Sequence, residues 1–458
     1  MISELKPYPK YKSSGIPWLG QVPEHWEVRP AFGAFMSNLE KNRGMKEKIV
    51  LSLSYGQIIV KPIEKLRGLV PESFETYQIV DPGDIVLRTT DLQNDHTSRR
   101  VGMVRNRGII TSAYLALRVK PGVNPEYGFQ FLNVWDSTKA IYGYGSGLRQ
   151  NLDFSHFKRM PVAVPSLADQ AAIVRFLNWA NSRLERTIQS KRKVIALLNE
   201  QKQAVIHRAV TRGLDLNVQL KQSGVPWLGD IPAHWEVTRA SRLFRQVTRY
   251  NIDGTEPKMS MSRRYGLIRS EQLSNRAAQA ATNIKFSVCE PGDLVLNKYQ
   301  AHNGLFGAAK ERGLITSNYS VFKPISVGFT DFYALMFSSS FYRAEFRMRC
   351  QGIGDGMMPL YSSAFLKTPS LSPPADEQQK IFASIVDSTR NIAQTVSRLE
   401  REIELLVEYR IRLTADVVTG NLDVREVAAK IPEDVQLDTA SGEDFTDDEE
   451  TLDQEASE

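Results

Sequence analysis

Residues 14–28 read SGIPWLGQVPEHWEV, and residues 223–237 read SGVPWLGDIPAHWEV. Eleven of the fifteen positions are identical at an offset of 209, the mark of a long internal repeat. The same offset carries Pro82-Gly83-Asp84 onto Pro291-Gly292-Asp293, and the glycines 143, 145 and 147 onto 352, 354 and 356. Offsets of 205 and 208 carry Gly108-Ile109-Ile110-Thr111-Ser112 onto Gly313-Leu314-Ile315-Thr316-Ser317, Gln170 and Ile173 onto Gln378 and Ile381, and Leu214-Asp215 onto Leu422-Asp423. Order and spacing persist throughout, which makes the chain two copies of one module of roughly 209 residues followed by a tail.

Each module opens on a Pro- and Trp-rich segment. A Pro-Gly turn then launches a short apolar run, Asp84 to Leu87 and Asp293 to Leu296, of the kind that forms a strand. Further strand signals follow at Ala113 to Val119 and Asn318 to Phe322. Short amphipathic helices are expected at about 125–140 and 330–348, and closing strands at Met160 to Val164 and Thr368 to Leu371. This mixture predicts an α+β domain in each copy. The two glycine triplets do not open the first βαβ unit of a domain and lack the acidic residue downstream that a nucleotide-binding turn needs, and they read as tight turns. Trp18, Trp26, Trp227 and Trp235 sit in the segment that repeats best and read as anchors for it, with base stacking as the other option.

From Ala168 to Thr211, and from Asp376 to Val418, neither Pro nor Gly occurs and apolar residues recur at seven-residue steps. The first helix places Leu177, Leu184, Leu198 and Val205 on one row, interrupted by Lys191, with Ile188 and Ile195 on the row beside it. The second places Ile385, Ile392, Leu399, Leu406 and Leu413 on one row, with Val396 and Ile403 beside it. Such a seam predicts two coiled-coil helices, each about 65 Å long at a rise of 1.5 Å per residue. Each leads away from its own globular domain, so antiparallel packing and a pseudo-twofold relation of the two copies are expected.

The charge balance, 58 Lys and Arg against 52 Asp and Glu, conceals an asymmetry. Residues 429–458 hold twelve acids and a single base, Lys430, leaving 57 bases against 40 acids before them, a net of +17. A body that basic points to a polyanion, and the acidic tail reads as disordered by composition. No run of about 18 apolar residues and no signal-peptide pattern occurs, which favours nucleic acid over membrane and a cytoplasmic location. Two cysteines, Cys289 and Cys350, offer no disulfide framework, and no metal-ligand spacing is found.

On these residues the sequence resembles the specificity subunit of type I restriction-modification systems. The likeness extends to about residue 425, through the paired SG-x-PWLG-x-x-P-x-HWEV segments, the GIITS and GLITS segments, and the PSLADQ and PADEQQ starts of the long helices. It implies target recognition domains at 1–167 and 216–375, a central long helix at 168–215, a distal one at 376–421, and the acidic tail at 422–458. It further implies that each recognition domain reads one half of a bipartite double-stranded DNA target. The helices would dock two methyltransferase subunits, and through them restriction subunits. This chain would carry no cofactor, and S-adenosylmethionine, ATP and magnesium would belong to the partners.

Scaffold positions repeat, but the polar segment after each Pro-Gly-Asp strand differs: RTTDLQNDHTSRR at 88–100 against NKYQAHNG at 297–304. Arg suits guanine, Asn and Gln suit adenine, and Lys or Arg suits phosphate. The candidate DNA contacts are therefore Arg88, Thr89, Thr90, Gln93, Asn94, His96, Arg99 and Arg100 in the first copy. In the second they are Asn297, Lys298, Tyr299, Gln300 and Asn303, joined by Arg149 and Gln150 after the first glycine triplet and by the basic pair Arg263 and Arg264. Exposed loops also diverge without any such role.

Catalytic signatures are missing from the sequence. The one Pro-Pro pair, Pro373-Pro374, is followed by Ala375 rather than the aromatic residue that grips a flipped adenine, and no P-loop lysine motif occurs. The expected role is a non-catalytic DNA-recognition subunit. The competing readings are a self-contained methyltransferase or nuclease, and a coiled-coil adaptor that binds no DNA.

Overall fold

The computed structural model describes residues 5–62, 73–90, 92, 99–144, 151–250, 256–263, 265–272, 286–325, 329–352 and 358–432. These contain both helices and sheets, in two compact units. One unit runs to Ser190 and resumes at Arg401; the other is Lys191–Glu400. The cuts fall inside the two long helices, so each unit holds the start of one helix and the end of the other.

In the first unit a four-stranded antiparallel sheet has the order Phe35–Ser37, Leu115–Val119, Ile85–Leu87, Val101–Met103. In the second the order is Phe244–Val247, Tyr319–Pro324, Leu294–Asn297, Phe306–Ala308. Register follows suit, with Leu117 opposite Ile85 in one and Phe322 opposite Leu294 in the other. Smaller ladders repeat as well. Gln78–Val80 pairs with Gly108–Ile110 as Ser287–Cys289 pairs with Gly313–Ile315, and Glu27–Pro30 pairs with Pro161–Val164 as Glu236–Arg239 pairs with Pro369–Ser372. The Pro-Gly turn before each central strand needs its glycine, because Gly83 and Gly292 stand at φ of 94° and 87°.

Helix Pro125–Ser137 starts on Asn124, whose side-chain oxygen accepts from the backbone N–H groups of Glu126 and Tyr127, with Pro at the first helical position. The single helix expected at 330–348 is instead two, Thr330–Ser338 and Ser340–Arg349. The break is at Ser339, which is extended (φ −69°, ψ 156°) and whose hydroxyl donates to the carbonyl of Met336. Three successive serines offer the backbone local hydrogen bonds that compete with the helix.

The long helices span Leu167–Arg212 and Ala375–Val418. Each stops at a glycine with positive φ, Gly213 and Gly420, as helix ends commonly do. Gly420 has a second constraint, since a Cβ there would lie 2.4 Å from Pro23 and 3.1 Å from the Trp26 ring. In the first unit Arg410 Nη1 donates to Glu185 Oε2 at 2.9 Å, and Leu413 and Val417 share a core with Ile173, Phe176 and Leu177. Later residues of one helix thus meet earlier residues of the other. In the second unit Ile206, Ala209 and Val210 share a core with Ile381 and Ile385.

Of the seam residues, Leu177, Leu184, Ile188, Ile385 and Leu413 are buried, and Ile195, Leu198, Val205, Ile392, Val396, Leu399, Ile403 and Leu406 are half-buried. Both cores are aromatic. Trp26, Phe35, Tyr127, Phe131, Trp135 and Phe157 fill the first, and Trp235, Phe244, Phe322, Phe337, Tyr342, Phe346 and Phe365 the second. The reading of Trp26 and Trp235 as anchors holds, since both are fully buried. The acidic tail from residue 433 lies outside the described residues.

Candidate nucleic-acid interface

The repeated residues build the platform. His25 Nε2 lies 2.8 Å from Asp169 Oδ2, and His234 Nε2 lies 2.8 Å from Glu377 Oε2, so each opening segment is tied to the first turn of the long helix in its own unit. Gln170 donates to the carbonyls of Gly122 and Pro165 and accepts from the N–H of Asn124. Gln378 likewise donates to the Pro373 carbonyl and the Tyr333 hydroxyl and accepts from the N–H of Phe329. The Asp of each Pro-Gly-Asp turn is buried and paired. Asp84 accepts from Arg118 Nε at 2.9 Å, and Asp293 from Arg249 Nη1 at 2.6 Å. These groups satisfy buried backbone and charge, which is why they repeat.

In the first unit the polar segment leaves the end of strand Ile85–Leu87. Arg88 and Thr90 are half-buried, Thr89 is buried and Arg99 is exposed. Arg100, expected to face DNA, is fully buried. Its Nη1 donates to the carbonyls of Arg88 and Thr90, and its backbone N–H donates to Asp136 Oδ2 at 2.8 Å. Burial holds the Asp136 carboxyl above the usual carboxylate range. The Arg100 guanidinium therefore fastens the start of the loop from beneath, a role its residue type alone did not reveal. Gln93, Asn94, His96, Arg149, Gln150 and Arg264 lie outside the described residues.

The corresponding segment of the second unit is described throughout. Asn297 Oδ1 accepts from the N–H groups of Tyr299 and Gln300, so this amide shapes the turn. Asn303 Nδ2 donates to Gln300 Oε1 at 2.7 Å. Gly304 closes the turn at φ 82°. Lys298 and Tyr299 are half-buried, and burial lowers the affinity of the Lys298 amine for its proton.

Around this turn the fold brings basic side chains from three places. His302 belongs to it. Helix Ser340–Arg349 packs beside it, with the aliphatic part of Arg343 against Gly304. Arg263, exposed, sits in the turn between strands Met259–Ser262 and Gly266–Arg269. Burial, then the charges of Arg347 and Arg263, hold the His302 imidazole below its ordinary value, and burial with the same two arginines does so for Arg343. The sequence reading took Arg263 but passed over Arg343 and Arg347. Their spacing of four on an amphipathic helix was the available signal.

Among the described residues no three His, Cys, Asp or Glu gather as a metal site needs, and no helix is long and apolar enough to cross a membrane. Cys289 is buried, with its thiol pushed up to about 11.

No family model and no curated protein matches the sequence. Solved structures do match. A chain from a structure of the assembly and conformational transition of the type I R-M system superposes with a TM-score of 0.55 at 14% identity, covering 87% of this chain and 99% of that one. The HsdS subunit from Thermoanaerobacter tengcongensis gives 0.41 at 14% identity, over 87% and 98%, and the type I S subunit from M. genitalium 0.33 at 14%, over 86% and 96%. The likeness noted in the paired sequence segments is thus met in three dimensions: across nearly its whole length, this chain has the fold of a component of the type I restriction-modification system.

Proposed function

We propose that this chain is the specificity subunit of a type I restriction-modification complex, reading a bipartite, asymmetric DNA target with one half-site per unit. The observation that carries the reading is the contrast inside the repeat. The two units share sheet order, register and buried clamps, yet the polar segment leaving the central strand differs in sequence between them. A duplicated scaffold bearing unlike polar loops suits two unlike half-sites, where a symmetric dimer suits a palindrome.

The long helices are proposed to form the seam of coiled-coil type and to dock two methyltransferase subunits, with restriction subunits joined through these. Exposed apolar side chains on the helices support this: Val194 and Leu197 in one unit, and Leu405, Tyr409 and Ile411 in the other. Catalysis is assigned to the partners, which would hold S-adenosylmethionine, ATP and magnesium, and the complex is placed in the cytoplasm.

The test is single-molecule methylation mapping in cells with and without this chain, the candidate methyltransferase being present in both. Methyl-adenine at one split motif only when the chain is present is the expected result, and replacing residues 88–100 should change one half of that motif. Absence of chain-dependent methylation, together with no salt-dependent DNA binding by the purified chain, would overturn the proposal in favour of an adaptor.

A further inference from the structure

Four basic side chains, Arg263, His302, Arg343 and Arg347, gather around the Asn297–Gly304 turn. Several other arginines of this unit are paired with carboxylates: Arg269 with Glu311, Arg312 with Glu256 and Glu290, Arg349 with Glu345, Arg249 with Asp293. Arg263, His302, Arg343 and Arg347 have no carboxylate partner among the described residues. Arg263 and Arg347 both disfavour the charge on Arg343, a cost to the free chain because like charges repel. Arg343 Nε and His302 Nδ1 are buried without a hydrogen-bond partner within the described residues. A buried donor left unmatched is expensive, and its persistence calls for an outside group.

The geometry that places these groups is firm. Arg343 and Arg347 are one helical turn apart on Ser340–Arg349, whose other face is locked by Tyr342 and Phe346 in the aromatic core. Gly304 leaves room for the Arg343 side chain, since a Cβ there would stand 2.9 Å from Arg343 Cδ. The hairpin that carries Arg263 is held over strand Phe306–Ala308, with Met261 and Leu267 against Gly307. A hairpin and a helix distant in sequence thus bring three arginines beside a turn that carries His302, Lys298, amides and a tyrosine.

We propose that Arg263, His302, Arg343 and Arg347 form a clamp for a backbone phosphate of duplex DNA, set beside the Asn297–Gly304 turn. The clamp rests on the reading of this unit as a DNA-recognition domain and adds to it which residues carry position rather than sequence. A phosphodiester supplies negative charge, an acceptor oxygen for Arg343 Nε, and one for His302 Nδ1 when the imidazole is protonated. Because it contacts no base edge, the clamp would contribute nearly equally to every sequence.

The measurement is the affinity of the full chain for a mixed-sequence duplex across a salt series, by fluorescence anisotropy. Each phosphate contact contributes about 0.9 to the slope of log affinity against log salt. Arg347→Gln, at an exposed position, should lower that slope, and the double variant with Arg343→Gln should lower it further, to a total of about 0.9, because a single phosphate is held. Arg343→Lys should restore most of the loss, and Arg192→Gln with Lys193→Gln, on the first long helix, should leave the slope unchanged. An unchanged slope in Arg347→Gln, with wild-type binding intact, overturns the clamp and leaves the recognition reading standing. No salt-dependent binding by the wild-type chain overturns both. Inorganic phosphate added at fixed ionic strength should not displace the duplex; if it does, the cluster is a site for free anions and the duplex assignment fails. Should Arg343→Gln fail to fold, Arg347→Gln decides alone.

Discussion

Glu377 Oε2 accepts from Trp235 Nε1 at 3.0 Å while standing 2.8 Å from His234 Nε2, so one carboxylate oxygen serves both members of the His-Trp pair. In the first unit the residue at this position is Asp169, one methylene shorter, which meets His25 at 2.8 Å and leaves the buried Trp26 N–H without a partner. Two near-identical motifs are therefore satisfied to different degrees. Glu377→Ala should cost about 1–3 kcal/mol, since it strands a buried indole donor. Thermal unfolding followed by tryptophan fluorescence checks this, and Asp169→Glu tests the converse, a gain on reaching Trp26.

The buried aspartates of the Pro-Gly-Asp turns hold the sheets at the point where the polar segments depart. Asp84 accepts from Arg118, Asn38 and the N–H of Asp81, and its side chain is 3% exposed against 42% for Arg118. Because Arg118 can turn to water when its partner is lost, Asp84→Ala should destabilise by about 3 kcal/mol, the lower end for a buried pair. Urea denaturation gives the value.

Gln170 and Gln378 each make three hydrogen bonds and are buried. Replacing either with Leu removes those bonds and leaves backbone groups unmatched, an expected loss of about 2–4 kcal/mol. Because each glutamine joins the start of a long helix to its own globular unit, amide hydrogen exchange should rise first at Gly122–Asn124 in Gln170→Leu and at Phe329 in Gln378→Leu.

His302 supplies a pH dependence with a definite sign. Its imidazole is held below the ordinary value of 6.5 by burial, Arg347 and Arg263, so the folded chain takes the proton less readily than the unfolded chain. Above that pH the group is neutral in both states and contributes nothing. As pH falls through about 6.5 the unfolded chain is protonated first and stability drops. His302→Asn should remove this part of the acid sensitivity in a series of thermal melts. With a phosphate in the clamp the sign reverses, and affinity for duplex DNA should rise as pH falls, in the wild type and not in His302→Asn.

Several features could be read in advance because their causes are local. Pro82-Gly83 and Pro291-Gly292 announced turns, and the turns are there at positive φ. Lack of Pro and Gly over more than forty residues announced the long helices, which run Leu167–Arg212 and Ala375–Val418 and stop three residues before the limits of 215 and 421 that the resemblance implied. Serines 338–340 were a local signal too, but the apolar pattern across them was continuous and hid the break at Ser339.

By itself, the sequence determined that the chain is a duplicated α+β module with two long helices and where the copies diverge, because repeats, turn chemistry and heptad spacing are written along the chain. Only the tertiary structure decided what the charged side chains do. Arg118 reaches Asp84 from a neighbouring strand, whereas Arg249, just after strand Phe244–Val247, performs the same task for Asp293. Arg100 carries the residue type of a DNA contact and is buried under its own loop. Arg263, His302 and the pair Arg343 and Arg347 come from three separate stretches of sequence, a hairpin, a turn and a helix packed in one unit. A charge is placed by the crossing of distant elements, and no local pattern records that crossing.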